Sequence, residues 1–278
     1  MEKICEVKNL KKSYGGFSLE DVSFFLEKGS ITGFVGRNGA GKSTTIKSML
    51  NLVHRDGGEI SFFGLDADEN ERRIKQKIGY ASAGVHYYER KKIRDIADVV
   101  SRFYDNWDGG LFDRYMSDFG IDKNKKPIEL SEGMKVKFSL AAALCHGAEL
   151  LILDEPTSGL DPVSREELLE LLLGLAAKGV TIFFSTHIIG DIEKCADRIV
   201  YIKKGRLLAF DGIENFKSDY KIVKIPQNGE NCPEFIGVCR SRDGATALIK
   251  AADAEKFENT YSPSLEEIMV HIEREGEK

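Results

Sequence analysis

One stretch constrains this chain more than any other: Gly36-Arg37-Asn38-Gly39-Ala40-Gly41-Lys42-Ser43. The order fits Gly-x-x-x-x-Gly-Lys-[Ser/Thr], a loop that folds around phosphate groups. Glycines let the backbone curl until several N–H groups point inward at an anion. The helix that follows turns its positive end toward the same place. Gly36, Arg37, Asn38, Gly39, Ala40 and Gly41, with Thr44 beyond them, are the expected cradle. Lys42 is expected to reach the β- and γ-phosphates, and the Ser43 hydroxyl to hold Mg²⁺.

A glycine-rich turn that matches by accident is the alternative, and the setting argues against it. Residues 31–35 are a short, mostly apolar run that suits a buried strand, and residues 43–50 carry apolar side chains at helical spacing. Strand, phosphate loop and helix in that order imply nucleotide binding.

Leu150-Leu151-Ile152-Leu153-Asp154-Glu155 is the second informative stretch. Apolar residues that end in two carboxylates describe a buried parallel strand whose C-terminal end enters a site. Asp154 is placed to hold Mg²⁺, and Glu155 to orient or deprotonate an attacking water. Residues 180–185 read as another buried strand with Thr186-His187 at its end. His187 there is either a capping or core residue, or a partner for the γ-phosphate or the water. Tyr14 lies in a turn upstream of the phosphate loop, where an aromatic ring can stack on a purine or simply pack or stand exposed.

From about residue 87 to 146 the pattern is mostly helical, with Ile93, Ile96, Ala97, Val100 and Tyr104 on one face. Phe103, Tyr104 and Trp107 are expected to form a small hydrophobic cluster rather than a binding site. Helical material between the strands of an α/β core suggests an inserted subdomain. Residues 199–202 and 206–210 flank Lys203-Lys204-Gly205 as a hairpin. Beyond about residue 216 the signals weaken to a small α/β appendage, with a helix start at Ser264-Leu265-Glu266-Glu267.

A length of 278 residues suits one large domain with a subdomain or appendage. The net charge of -5 offers no global field for nucleic acid or an anionic membrane, although local basic patches are compatible with it. Five cysteines, with no Cys-x-x-Cys pair, argue against a zinc site or a disulfide framework. The N-terminus lacks the apolar core of a signal peptide, and no run approaches the length of a membrane span. The expectation is a chain that does not itself cross a membrane.

Taken together, the motifs resemble the ATP-binding subunit of ABC transporters, over roughly residues 4–215. Gly36 to Ser43 and Leu150 to Glu155 match its two nucleotide motifs. Ser158-Gly159-Leu160-Asp161 resembles its D-loop through Asp161, and His187 resembles its switch histidine. Tyr14 falls where the family stacks an aromatic on adenine. Leu130-Ser131-Glu132-Gly133-Met134 falls where the family carries Leu-Ser-Gly-Gly-Gln, the signature that closes over the ATP of the opposite subunit. Ser131 and Gly133 fit that pattern, while Glu132 and Met134 depart from it. Glu132 is expected to face away from phosphate. A second departure is the missing Gln after residues 78–80, where Ala83 falls near the expected position.

The resemblance implies an α/β fold: a P-loop NTPase (RecA-like) core with an antiparallel β subdomain and a helical subdomain at about 87–146. These would occupy residues 1–215, with the small C-terminal appendage at 216–278. It further implies ATP and Mg²⁺ as ligands, catalytic roles for Glu155 and His187, and Ser131, Glu132 and Gly133 acting in trans. The implied partners are a transmembrane permease and a second ATPase, as homodimer or heterodimer with a sibling, at the cytoplasmic face of the cell membrane. The single cassette and the tail place the resemblance in the bacterial antibiotic and multidrug exporter branch.

Two other readings stand beside it. One is a soluble ABC-type ATPase acting on DNA or ribosomes. Against it, no heptad run separates Lys42 from Leu130, there is one phosphate loop, and the charge is acidic, so no nucleic acid is expected. The other is a nucleotide-dependent regulator that hydrolyses little ATP, suggested by the altered signature and the missing Gln.

Overall fold

The structure is a computed structural model, and it describes residues 2–82, 88–225, 232–241 and 244–275. The chain divides into two units, Met1–Phe210 and Asp211–Lys278. In chain order the first unit runs β1 (Lys3–Tyr14), β2 (Phe17–Glu27), β3 (Ile31–Val35), α1 (Lys42–Met49), β4 (Gly57–Phe62), β5 (Leu65–Asp66), α2 (Glu71–Lys75) and β6 (Ile78–Ser82). It continues with α3 (Ile93–Ser101), α4 (Gly109–Asp118), α5 (Glu132–Leu144), β7 (Leu150–Asp154), α6 (Pro162–Ala176), β8 (Thr181–Thr186), α7 (Ile189–Cys195) and β9 (Arg198–Lys203), and β10 (Arg206–Gly212) spans the boundary at Phe210.

Every residue of β3, β7 and β8 is buried. Strands covered on both faces belong inside a parallel sheet, and the sheet order is β10-β9-β3-β8-β7-β6. β9, β3, β8, β7 and β6 pair in parallel, so their C-terminal ends share one edge. Register then decides what meets there: Val35 lies beside Thr186, Asp154 beside Ser185, and Ser82 beside Asp154.

A second sheet, β2-β1-β4-β5, is antiparallel. On β2, Val22, Phe24 and Leu26 are buried at alternate positions, the period of a strand with one covered face. Phe24 carries that face onto the parallel sheet, with its ring 6.0 Å from Phe34 and 5.4 Å from Phe183.

The helices between β6 and β7 have their own core, in which Ile93, Ile96 and Ala97 of α3 meet Phe112 and Met116 of α4 and Phe138 of α5. The expected aromatic cluster does not form as one body. Phe103 is 72% exposed, Tyr104 stacks on His146 at 3.8 Å, and Trp107 packs on Phe112. Helical spacing places a residue on a face but says nothing of what lies opposite, and here α3 ends before Phe103.

The second unit contains α8 (Ile213–Ser218), β11 (Tyr220–Ile225), β12 (Ile236–Ser241), β13 (Gly244–Lys250), β14 (Thr260–Tyr261) and α9 (Leu265–Arg274). Its strands form an antiparallel sheet in the order β12-β13-β11-β14. Helix α9 starts with a capping box, in which Ser264 and Glu267 each accept the other's backbone N–H. No helix among the described residues is long and apolar enough to cross a membrane.

Candidate nucleotide-binding site

The loop after β3 needs glycine at two points. A Cβ on Gly36 would lie 2.3 Å from the Ile202 carbonyl oxygen. Gly41 has φ +115°, and a Cβ there would lie 2.6 Å from Leu19 Cδ2. Gly41 is also the N-cap of α1. It offers no side-chain cap, and no acidic residue stands in the first turn. The first N–H groups of α1 are thus left for an external acceptor.

These groups open into a cavity of about 550 Å³. Arg37, Asn38, Gly39, Gly41, Lys42, Ser43 and Thr44 line it, joined by Glu155 from the end of β7 and by Gly16 and Phe17 from the β1–β2 hairpin. Ala40 is buried in the loop behind that wall. Tyr14 is 48% exposed and lies opposite Phe17 in the hairpin register, with the Lys12 ammonium 5.3 Å from its ring. Phe17 on the cavity wall is a residue that motif reading passed over. A phenylalanine just past a glycine pair was the available signal.

Asp154 and Glu155 divide their tasks through geometry. The Ser43 hydroxyl donates to Asp154 Oδ1 at 3.2 Å, and the Ser185 hydroxyl donates to the same oxygen at 2.6 Å. Ser185 Oγ also accepts the Glu155 N–H at 3.0 Å. Glu155 has φ +54°, a conformation that a non-glycine residue adopts at some energetic cost and that often accompanies function. It aims the carboxylate between two partners: Lys42 Nζ lies 3.1 Å from Oε1, and His187 Nδ1 lies 2.7 Å from Oε2. The Lys42 ammonium also donates to the Gly36 carbonyl at 2.7 Å. Of the two sequence-level alternatives for His187, capping or site, this contact supports the site.

Ser43 and Asp154 present hard oxygen donors side by side, which suits Mg²⁺. Among the described residues no group of three or more His, Cys, Asp or Glu could hold a metal alone. A Mg²⁺ here would take its other ligands from phosphate and water, as this ion commonly does.

The signature residues lie off the cavity wall. Ser131 is the N-cap of α5, and its Oγ accepts the Met134 N–H at 3.3 Å. Glu132 is exposed and pairs with Lys135 at 2.7 Å, so its charge already has a partner one turn away. A Cβ on Gly133 would meet Ser164 Oγ at 3.0 Å. Ser164 in turn donates to Asp161 Oδ2 at 2.6 Å, and Asp161 caps α6. The Ser164 hydroxyl and N–H hold the Asp161 carboxyl below the usual carboxylate range. Ala83, where the family's Gln was expected, lies outside the described residues.

Fold and site together define a P-loop nucleotide hydrolase. The sequence profile of the ABC transporter family matches residues 19–158. The bacitracin transport ATP-binding protein BcrA of Bacillus licheniformis is 35% identical, over 83% of this chain and 77% of its own length. The lantibiotic transport ATP-binding protein SrtF of Streptococcus pyogenes is also 35% identical, over 77% of this chain and 94% of its own. A solved structure of the ATP-binding subunit of an ABC transporter superposes with a TM-score of 0.70 at 30% identity, covering 77% of this chain and 92% of that one. The chain belongs to the ABC transporter family, as an ATP-binding and ATP-hydrolysing component.

Proposed function

We propose that two copies of the chain, or one copy and a sibling ATPase, close head to tail around two ATP and so drive a separate transmembrane permease. The division of residues supports this reading. Lys42, Ser43, Asp154, Glu155 and His187 are gathered at one place, whereas Ser131, Glu132, Gly133 and Asp161 are absent from the cavity wall. A facing subunit would bring its own Ser131 and Gly133, and the N-terminus of its α5, to the γ-phosphate. That phosphate then touches both chains, so ATP favours the closed pair and hydrolysis favours release.

Within each site Lys42 offsets phosphate charge and the loop amides orient the nucleotide. A Mg²⁺ held by Ser43 and Asp154 would neutralise charge on the phosphates. Glu155 takes the proton of the attacking water, and His187 holds the carboxylate and meets the γ-phosphate. The observation that carries this assignment is the placement of Glu155 between Lys42 and His187, with its backbone pinned by Ser185. When ATP enters, Lys42 transfers to phosphate and frees the carboxylate for water.

The bacitracin and lantibiotic transport names of the relatives support an exporter in the antibiotic branch. Its place would be the cytoplasmic face of the cell membrane, attached through the permease. Two measurements test the proposal. Glu155→Gln is expected to lower ATP hydrolysis by about 10²-fold or more, the scale of general-base loss, while ATP binding persists. Near-normal turnover would remove Glu155 from that role. A mild-detergent pull-down should recover a stoichiometric polytopic membrane protein. Recovery of ribosomes or nucleic acid instead would favour the soluble-ATPase reading.

A further inference from the structure

Asp161 and His187 each stand just before a helix, and the two helices are joined one turn further on. Asp161 caps α6, and the Arg165 N–H donates to its carbonyl at 3.0 Å. His187 precedes α7, in which the Asp191 N–H donates to the Ile188 carbonyl at 3.2 Å. Arg165 Nε pairs with Asp191 Oδ1 across the two helices. Each member of the pair thus lies four residues beyond the site residue of its own segment. The Arg165 guanidinium also passes over Gly190, where a Cβ would lie 3.6 Å from Nη2.

The Asp191 side chain is wholly buried, while that of Arg165 is 30% exposed. Among the described residues Asp191 Oδ2 has no hydrogen-bond partner. A half-satisfied buried ion pair is a poor device for stability, because desolvation offsets the attraction, but it does fix how two elements meet. Packing alone leaves α7 under-determined. A Cβ on Gly33 would lie 2.1 Å from Ile192 Cδ1, and Ile192 is fully buried, so this contact sets how deep α7 sits on β3. The slide and rotation of α7 along α6 are left to the ion pair. A second pair, Lys194 with Glu166, joins the same helices. Both of its side chains are exposed, and exposed pairs hold little.

We propose that Arg165 and Asp191 are positioning residues for ATP hydrolysis: their pair holds the first turn of α7 so that His187 Nδ1 stays 2.7 Å from Glu155 Oε2. The segment from Asp191 back to His187 is short and internally bonded, since the Ile188 N–H donates to Thr186 Oγ1 at 2.9 Å. A shift of α7 therefore reaches the imidazole with little slack. Misplacing a group at the reacting centre by about 1 Å costs up to about 10²-fold in rate. The inference rests on the roles proposed above for Glu155 and His187.

Steady-state hydrolysis by Arg165→Gln tests the pair, the arginine being the safer member to change because it is partly exposed. Its kcat should fall about 10- to 10²-fold. KM for ATP should stay within about twofold, since the phosphate loop is untouched. Arg165→Lys, which keeps the cation, should recover part of the loss. In a His187→Ala background Arg165→Gln should lower kcat no further, because the pair acts through a side chain that is gone. Losses that multiply in full, or a kcat equal to wild type, overturn the proposal. A readout free of turnover is the ring nitrogen spectrum of isotope-labelled histidine, with His187 assigned by its disappearance in His187→Ala. Glu155→Gln should shift the His187 signals in the otherwise unaltered chain and leave them unmoved when Arg165→Gln is present. An equal shift in both overturns the proposal. Should His187→Ala hydrolyse ATP at the wild-type rate, the catalytic role of His187 falls by itself, and the spectra alone decide whether the pair positions it.

Discussion

Two helix N-termini in this molecule, those of α1 and α5, are finished differently. The α1 end has Gly41 as its cap, no side chain over its first amides and no carboxylate in its first turn. Its own lysine, Lys42, is buried beside it. The α5 end is capped by Ser131 and carries Glu132 in its first turn, exposed and paired with Lys135. An uncapped helix end leaves donors that an anion must satisfy, whereas a capped end is already stable in water. The first is built to hold phosphate within one chain. The second is complete as it stands, and in the proposed dimer it would meet phosphate only when a partner brings it.

The sharpest attempt to break this comparison is Lys42→Ala. If the bare end of α1 suffices for phosphate, ATP affinity will barely change. We expect it to fall about 10²- to 10³-fold, because removing one member of a buried charge pair also leaves the other unpaired. Titration with a fluorescent ATP analogue measures the loss. A change below tenfold would assign phosphate binding to the helix end and the loop amides alone.

Glu132→Gln probes the other end and should have a smaller effect of opposite sign. A carboxylate at a helix N-terminus favours the helix by about 0.3–1 kcal/mol, so the variant should melt slightly lower. The exposed pair with Lys135 adds little to this. If α5 meets the γ-phosphate of a facing subunit, removing the negative charge should raise ATP turnover about two- to fivefold, on the same energy scale. The gain should shrink with added salt. Unchanged turnover at every salt concentration would mean that Glu132 never approaches phosphate in the working dimer.

How much of this was legible in the sequence follows the reach of the interactions. The phosphate loop, the strand ending at Asp154 and Glu155, and the capping box at Ser264 are local patterns, and each takes its expected form. Ser185 was read only as the end of a buried strand. Its hydroxyl joins Asp154 and Glu155 because β7 and β8 are in register. Phe17 reaches the cavity because the β1–β2 hairpin packs over Gly41, a contact between two elements that no spacing rule contains. The aromatic run at 103–107 misled for the same reason, since His146, far along the chain, claims Tyr104.

That last contact provides the gentlest test of the comparison, because His146 anchors the far end of α5. It lies just beyond the helix, buried, with Nδ1 3.1 Å from the Gln76 carbonyl oxygen and its ring stacked on Tyr104. Burial pushes its pKa below the ordinary histidine value. The folded chain therefore binds fewer protons at this site than the unfolded one, whose histidine titrates near about 6.5. The stabilising contribution is complete above that pH and is lost as pH falls through it toward the folded value. Hydrogen exchange at α5 amides should accelerate between pH 7.5 and 5.5, after correction for intrinsic rates, more than at α1 amides. In His146→Gln the α5 amides should exchange faster throughout, since the stacking on Tyr104 is gone, but with a flatter pH dependence. If α1 and α5 loosen together in wild type, the two helix ends belong to one cooperative unit, and their difference lies in capping alone.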